Sequence, residues 1–272
     1  MLKTRVITAL ALLAVLLLVL FLQSSLAVIV VTALFFGAAA WECFRLFNGR
    51  QPLVGAAIWT ALLIAFCLSS AFKQAPLLCA LCSAAWVIRL APSLATGLPP
   101  IDHFRSRLLS GIYAVAILGA GAAIVVLYLH SALYLLSALM IVWIADIGAY
   151  CAGKMFGKHK LAPSISPGKS WEGALGGWLA VLAIASATLF HSALIDTFPA
   201  KLQVSWGWPG FVAVMTLLVA ASIAGDLFES QLKRRAGMKD SSNLLPGHGG
   251  VLDRIDALIP VLPMVVLFDS WM

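Results

Sequence analysis

Runs of about twenty apolar residues follow one another from end to end of this chain, and they leave it few folds to choose from. A helical crossing of a bilayer needs about 20 such residues, and nine stretches qualify: about 5–22, 26–47, 53–72, 75–95, 109–128, 131–151, 172–191, 208–229 and 254–270. No polar stretch between them exceeds about twenty residues, which is too short for a soluble domain. In lipid every backbone N–H and C=O must be satisfied within the protein, so the spans are helices or a closed barrel. The runs lack period-two alternation, which favours helices. The expectation is an all-α polytopic integral membrane protein of about nine transmembrane helices. Only 11% of its residues are charged, against about 25% in a soluble domain.

The charges that remain report orientation. With the N-terminus in the cytoplasm and nine alternating spans, fifteen of the eighteen Lys and Arg residues fall on the cytoplasmic side. Lys73 and Lys201 fall opposite, and Arg89 lies within the fourth span, near enough to its end to snorkel. That asymmetry is the positive-inside pattern. It puts the polar loops 154–172 and 230–253 in the cytoplasm and the C-terminus on the far side. The first run could pass for a signal peptide, but it is longer than a typical signal core and a second span follows at once, so it reads as a retained helix. The basic residues form no stripe on a soluble domain, which argues against nucleic-acid binding. Cys43, Cys67, Cys79, Cys82 and Cys151 sit in or beside apolar runs and read as small core residues, the Cys79–Cys82 C-x-x-C included.

Polar chemistry is concentrated near the C-terminus. Residues 222–256 hold five of the eleven acids, Asp226, Glu229, Asp240, Asp253 and Asp256, between two apolar helices. Ser222, Asp226, Glu229 and Lys233 recur at i, i+4, i+7 and i+11 and share a helical face. Asp226 lies roughly 10 Å inward of Lys233 along the axis, and an ionisable residue at that depth is a functional candidate. Gly225 beside it admits a backbone or a ligand. Pro246-Gly247-His248-Gly249-Gly250 breaks the helix, and its glycines allow N–H groups to converge on an anion. Asp253, Arg254 and Asp256 open the next helix. Because one span exits and the next enters on the same side, Asp226 and Asp253 can approach each other, and such carboxylates repel unless a cation lies between them. Hard oxygen donors suit Mg²⁺, which completes its shell with substrate phosphates. Lys233, Arg234, Lys239, His248 and Arg254 suit phosphate oxygens. Polyphosphate chemistry on a lipid follows.

Other polar residues read more locally. Glu42 stands at i, i+3 from Arg45 and reads as a structural pair. Asp146 belongs to the site or pairs with a cation. Arg235 reads as a solvated cation that fixes topology. Trp171, Trp206 and Trp208 read as interfacial anchors. In the loop 164–172, Lys169 and the hydroxyls of Ser166 and Ser170 are candidates to contact a nucleotide, against the alternative of an ordinary turn.

Ser230-x-x-Lys233-Arg234, Lys239-Asp240, Gly247-His248-Gly249-Gly250 and Asp253-Arg254-x-Asp256 together resemble the signature of the phosphatidate cytidylyltransferases, or CDP-diacylglycerol synthases. Ser166-Pro167-Gly168-Lys169-Ser170-Trp171-Glu172-Gly173, with Asp146 and Tyr150 upstream, resembles the same family. The likeness covers about 140–260; the first hundred residues match only in hydropathy. It implies CMP transfer from CTP to phosphatidate with release of pyrophosphate, Mg²⁺ as cofactor, a many-spanned helical fold, membrane lipid as partner and a homodimer. By resemblance Asp226 and Asp253 hold the metal, with Asp256 beside them, and Lys239 joins Asp226 and Asp253 in catalysis. Lys169, Ser170, Lys233, Arg234, His248 and Arg254 bind substrate. Lys154 in place of Arg, Ser170 in place of Thr and Ala257 in place of Ser are departures that remove no charge. On this reading the chain is one membrane domain over 1–272, with 1–130 a helical scaffold and 131–272 the catalytic helices and cytoplasmic loops. Compact loops point to a bacterial inner membrane.

Two other functions remain open on the residues alone. A CTP-dependent polyprenol or phytol kinase would use similar substrates. A cation-coupled transporter would also bury carboxylates, although transporter sites lie nearer the midplane between repeated halves.

Overall fold

The structure is a computed structural model that describes residues 2–272, with side chains throughout except those of residues 2, 3 and 5. Lys3 and Arg5, which enter the positive-charge count, therefore lie outside the described side chains. In chain order the helices are α1 (Leu2–Phe21), α2 (Ser25–Leu46), α3 (Pro52–Leu68), α4 (Ala75–Ala85), α5 (Ser93–Thr96), α6 (Phe104–His130) and α7 (Ala132–Phe156). A hairpin of β1 (Lys160–Ala162) and β2 (Ser166–Ser170) follows. The chain ends with α8 (Trp171–Thr188), α9 (Phe198–Arg235), α10 (Leu252–Ile255) and α11 (Leu258–Asp269).

Local chemistry sets many of these boundaries. Ser24, Ser131 and Ser170 accept the N–H of Ala27, Tyr134 and Gly173 and so start α2, α7 and α8. Pro52 and Pro199 occupy first turns, where no N–H is needed. A π turn at Trp86–Leu90 extends α4. Gly207, at φ 65° and ψ −173°, breaks α9 next to Pro209, which is where the sequence predicts a span to begin.

All nine apolar stretches are helical, yet length divides them. Five helical segments are long and apolar enough to cross a membrane: Ser25–Leu46, Ser70–Thr96, Phe104–His130, Ala132–Phe156 and Phe198–Arg235. Val6–Phe21, Pro52–Leu68 and Leu258–Asp269 are shorter apolar helices, and α8, with 18 residues, covers the remaining stretch. The chain is an all-α polytopic membrane protein, but length and composition do not by themselves give nine crossings. The last predicted span, 254–270, shows why. Its helical part is divided between the end of α10 and α11, and α11 alone, with 12 residues, is about 18 Å long at 1.5 Å per residue. Every residue from Leu258 to Val266 is buried, because α11 packs among α4, α6 and α9 rather than against lipid.

Two other packings hold the site. Trp86, Tyr113 and Phe228 pack edge-on across α6, α9 and the π turn, with Tyr113 and Phe228 centroids 4.9 Å apart. Small residues bring α7 and α8 into close contact: a Cβ on Gly177 would lie 2.5 Å from the Ala145 carbonyl, and one on Gly148 would lie 2.8 Å from Ala180. Gly225 serves the same purpose on α9, where a Cβ would collide with the Asp256 carbonyl. The ligand or backbone admitted there is thus the backbone entering α11.

Candidate active site

The loop 154–172 is more than a turn. Glu172 accepts hydrogen bonds from the N–H groups of Lys158 and His159 and meets His159 Nδ1 at 2.6 Å, which closes the chain around the β1–β2 hairpin. The hairpin presents Lys169 toward α9, where its Nζ lies 2.6 Å from Asp226 Oδ2. Ser170 lines the same cavity, but its buried hydroxyl accepts the Gly173 N–H as a helix cap. The cap uses the Ser170 hydroxyl as an acceptor and leaves its proton to donate.

On the other side of the site the polar segment folds back from α9. Lys233, on the last turns of α9, pairs with Glu229 on its own helix and lies 2.5 Å from Asp253 Oδ1. Its ammonium is thus engaged by two carboxylates rather than presented freely. Asp253 Oδ2 accepts from Ser241 N at 2.9 Å, Ser241 Oγ at 2.8 Å and Gly250 N at 2.7 Å. Burial pushes the Asp253 carboxyl up, but the Lys233 ammonium, the Gly250 N–H and the Ser241 hydroxyl outweigh it and hold the group below the usual carboxylate range. Arg254 turns back to donate two hydrogen bonds to the His248 carbonyl, at 3.1 and 2.7 Å, and so locks the glycine loop. Gly249 sits at φ +84°, a conformation that glycine adopts without strain.

Three cavities meet here. The first, about 530 Å³, opens among α7, α8, α9 and the hairpin; Ala145, Ala149, Ala174 and Val219 line it together with Lys169 and Asp226. The second, about 880 Å³, is framed by the glycine loop and lined by Lys239, Asp240, Asn243, His248 and Arg254. The third, about 400 Å³, contains Asp146, Asp226, Asp240, Asp253 and Asp256 in its wall, with Lys233 and Arg254. It shares Asp146 and Asp226 with the first cavity and Asp240 and Arg254 with the second.

The expected site residues are therefore largely gathered. Asp226, Asp253, Asp256, Lys169, Ser170, Lys233, Lys239, His248 and Arg254 all line these adjoining cavities. Arg234 does not: it is exposed, and its Nε donates to the Ile165 carbonyl, tying α9 to the hairpin. Asp146 joins the cavity wall, which resolves its two sequence readings in favour of the site. Arg235 is corrected. It is half-buried, donates to the Pro99 carbonyl and Ser106 Oγ, and lies 4.6 Å from the centre of the Phe47 ring, so it is an internal tie rather than a solvated cation.

Glu42 is corrected as well. It is fully buried, and Arg45 does not pair with it but lies over Trp41 and meets the Met238 sulfur. Glu42 accepts hydrogen bonds from Ser241 and Ser242 hydroxyls and from the N–H groups of Val251 and Leu252. The available signal was an acid in an otherwise apolar span, which is a candidate by default.

The donor set fits Mg²⁺. Among the described residues no three His, Cys, Asp or Glu side chains converge as a preformed metal cage. Mg²⁺ does not require one, because it commonly takes one or two carboxylates and leaves the rest of its shell to water and phosphate. The hard oxygens of Asp226 and Asp253, in one cavity, match that demand.

A helical membrane fold with an acid-lined, cation-rich site at the ends of its helices defines a class of membrane enzyme rather than a particular chemistry. The chain belongs to the cytidylyltransferase family, whose description matches residues 3–271. It is 40% identical over 275 residues to a phosphatidate cytidylyltransferase of Pseudomonas aeruginosa, covering 97% of this chain and 95% of that one. It is 46% identical over 139 residues to the protein of that name from Haemophilus influenzae, and 45% over 132 residues to that from Staphylococcus aureus strain COL. Those two matches span about half of the relatives' length, 46% and 47%, and 51% and 48% of this chain.

Proposed function

We propose that this protein transfers CMP from CTP to phosphatidate, giving CDP-diacylglycerol and pyrophosphate for phospholipid synthesis. The observation that carries the reading is the aspartate-lined cavity, shared by a helix-lined cleft and a polar loop cavity. The cleft, floored by Ala145, Ala149, Ala174 and Val219, suits the glycerol and acyl end of a lipid. The loop cavity, with Lys239, Asn243, His248 and Arg254, suits a nucleotide triphosphate. The family and its relatives' names support the same chemistry.

In the reaction an oxygen of the lipid phosphate attacks the α-phosphorus of CTP, and the bond to the bridging oxygen of pyrophosphate breaks. Both partners are anions, so catalysis is mainly positioning and charge neutralisation. Mg²⁺, held by Asp226 and Asp253 with Asp256 beside them, would supply Lewis-acid neutralisation of the phosphates. Lys169 at the mouth of the cleft and Lys239 at the loop cavity bring positive charge from either side. Lys233 keeps Asp253 oriented, and Arg254 keeps the glycine loop in shape. The attacking phosphate is already an oxyanion, so no strong general base is needed. The charge asymmetry supports a cytoplasmic site and N-terminus with the C-terminus opposite, the compact loops support a bacterial inner membrane, and the family resemblance implies a homodimer. On the same reading the helices after residue 130 carry the chemistry on a scaffold of those before it.

The test is direct. Purified protein in detergent is given phosphatidate and CTP labelled at the α-phosphate, with Mg²⁺ or with chelator. Metal-dependent movement of label into lipid is expected. Lipid labelled only from γ-labelled CTP would establish a kinase instead, and ion flux without CTP turnover would establish a transporter.

A further inference from the structure

The polar segment does not hold its shape by its own contacts alone; α2 also holds it. Four donors, Ser241 Oγ at 3.0 Å, Ser242 Oγ, Val251 N at 3.0 Å and Leu252 N at 2.6 Å, converge on the two oxygens of Glu42. Val251 and Leu252 lead directly into α10, so a carboxylate from a distant helix supplies the acceptor that this helix start would otherwise lack. The loop is also shaped to admit Glu42. A Cβ on Gly250 would collide with Ser241 Oγ and would come within 2.5 Å of Glu42 Oε1. Ser241 then links the two carboxylates, lying 3.0 Å from Glu42 Oε2 and 2.8 Å from Asp253 Oδ2. A hydroxyl has one proton, so that single donor is shared between Glu42 and Asp253.

We propose that Glu42 is a positioning residue for the reaction: through Ser241 and the amides of Val251 and Leu252 it fixes the loop that presents Asp253 to the substrates. The proposal rests on the cytidylyl-transfer reading for its kinetic consequence, but not for the clamp itself. Glu42 touches no cavity wall among those at the site, so it acts through Ser241 rather than on substrate. A glutamine there would keep the volume while turning an N–H₂ donor toward groups that themselves donate.

The experiment compares the parent, Glu42→Gln, Ser241→Ala, their double variant and Arg45→Ala, all full-length in detergent. Glu42→Gln is expected to lower kcat per folded molecule at least about tenfold with both KM values within about threefold. The double variant is expected to lose little more than the worse single variant, since both break one path. Arg45→Ala is expected to stay within about threefold of the parent. Hydrogen exchange, read without substrate, is expected to quicken at the Val251 and Leu252 amides in Glu42→Gln. Parent-like kcat, additive losses, an Arg45→Ala defect equal to that of Glu42→Gln, or unchanged exchange would each overturn the proposal. Should Glu42→Gln fail to insert, Ser242→Ala removes one donor to Glu42 without touching Asp253; a measurable fall in kcat supports the clamp and parent-like kcat overturns it. A parent without label transfer would sink the functional reading alone, and amide exchange would still judge the clamp.

Discussion

Lys169 Nζ lies 2.6 Å from Asp226 Oδ2, so a hairpin that precedes α8 closes an ion pair with α9. The two residues are 57 positions apart in sequence, and they bring the two polar loops of the chain to one site. The pair sets a positive charge against the carboxylate proposed to hold the cation.

Asp226→Asn removes that charge and keeps the shape. Turnover is expected to fall at least about a hundredfold, the scale at which lost electrostatic stabilisation is felt in such sites. Membrane insertion and thermal stability are expected to stay close to the parent, since Asp226 is only half-buried. Near-normal label transfer would take Asp226 out of the chemistry.

Lys233→Met leaves Glu229 buried without its counter-charge. A broken buried pair costs about 3–5 kcal/mol, so a lower denaturation temperature accompanies lost activity. Adding Glu229→Gln is expected to restore much of the stability and none of the activity, because Asp253 still lacks Lys233. Recovery of both together would mean that Lys233 serves the fold alone.

Arg235→Ala cuts two hydrogen bonds, to Pro99 before α6 and to Ser106 in α6, and a cation–π contact with Phe47 at the end of α2. The expected loss is about 1–3 kcal/mol of stability, with kcat per folded molecule within about threefold of the parent. Thermal denaturation alongside label transfer separates the two effects. A turnover loss equal to that of Asp226→Asn would place Arg235 in the reaction.

Gly250→Ala forces a methyl group against Ser241 Oγ and Glu42 Oε1. Overpacking of this kind costs about 1–3 kcal/mol, and here it also displaces the backbone that holds Asp253, so activity is expected to fall more than stability. Gly111→Ala, where a Cβ meets nothing within 4 Å, is the matched control and is expected to behave as the parent.

Much of the molecule was legible without coordinates, because hydrophobic length and charge asymmetry are local properties of the chain. The nine apolar stretches are helical, and the break before Pro209 falls where a span was expected to begin. The aspartates and cations of residues 222–256 announced the site, since an acid in an apolar span demands a partner or a function. Tertiary structure decided what each charge does. Sequence spacing offers Glu42 an arginine one turn away, yet the folded chain brings it the Ser241 and Ser242 hydroxyls and two amides from some 200 residues later. Lys233 and Arg234 are neighbours in the motif, but the first faces Asp253 and the second faces the hairpin carbonyl of Ile165. The surroundings of α11 are likewise a matter of packing: its apolar run predicts a span, and its contacts with α4, α6 and α9 bury it inside the bundle. Composition determines that a helix is buried in something other than water; only the contacts decide whether that something is lipid or protein.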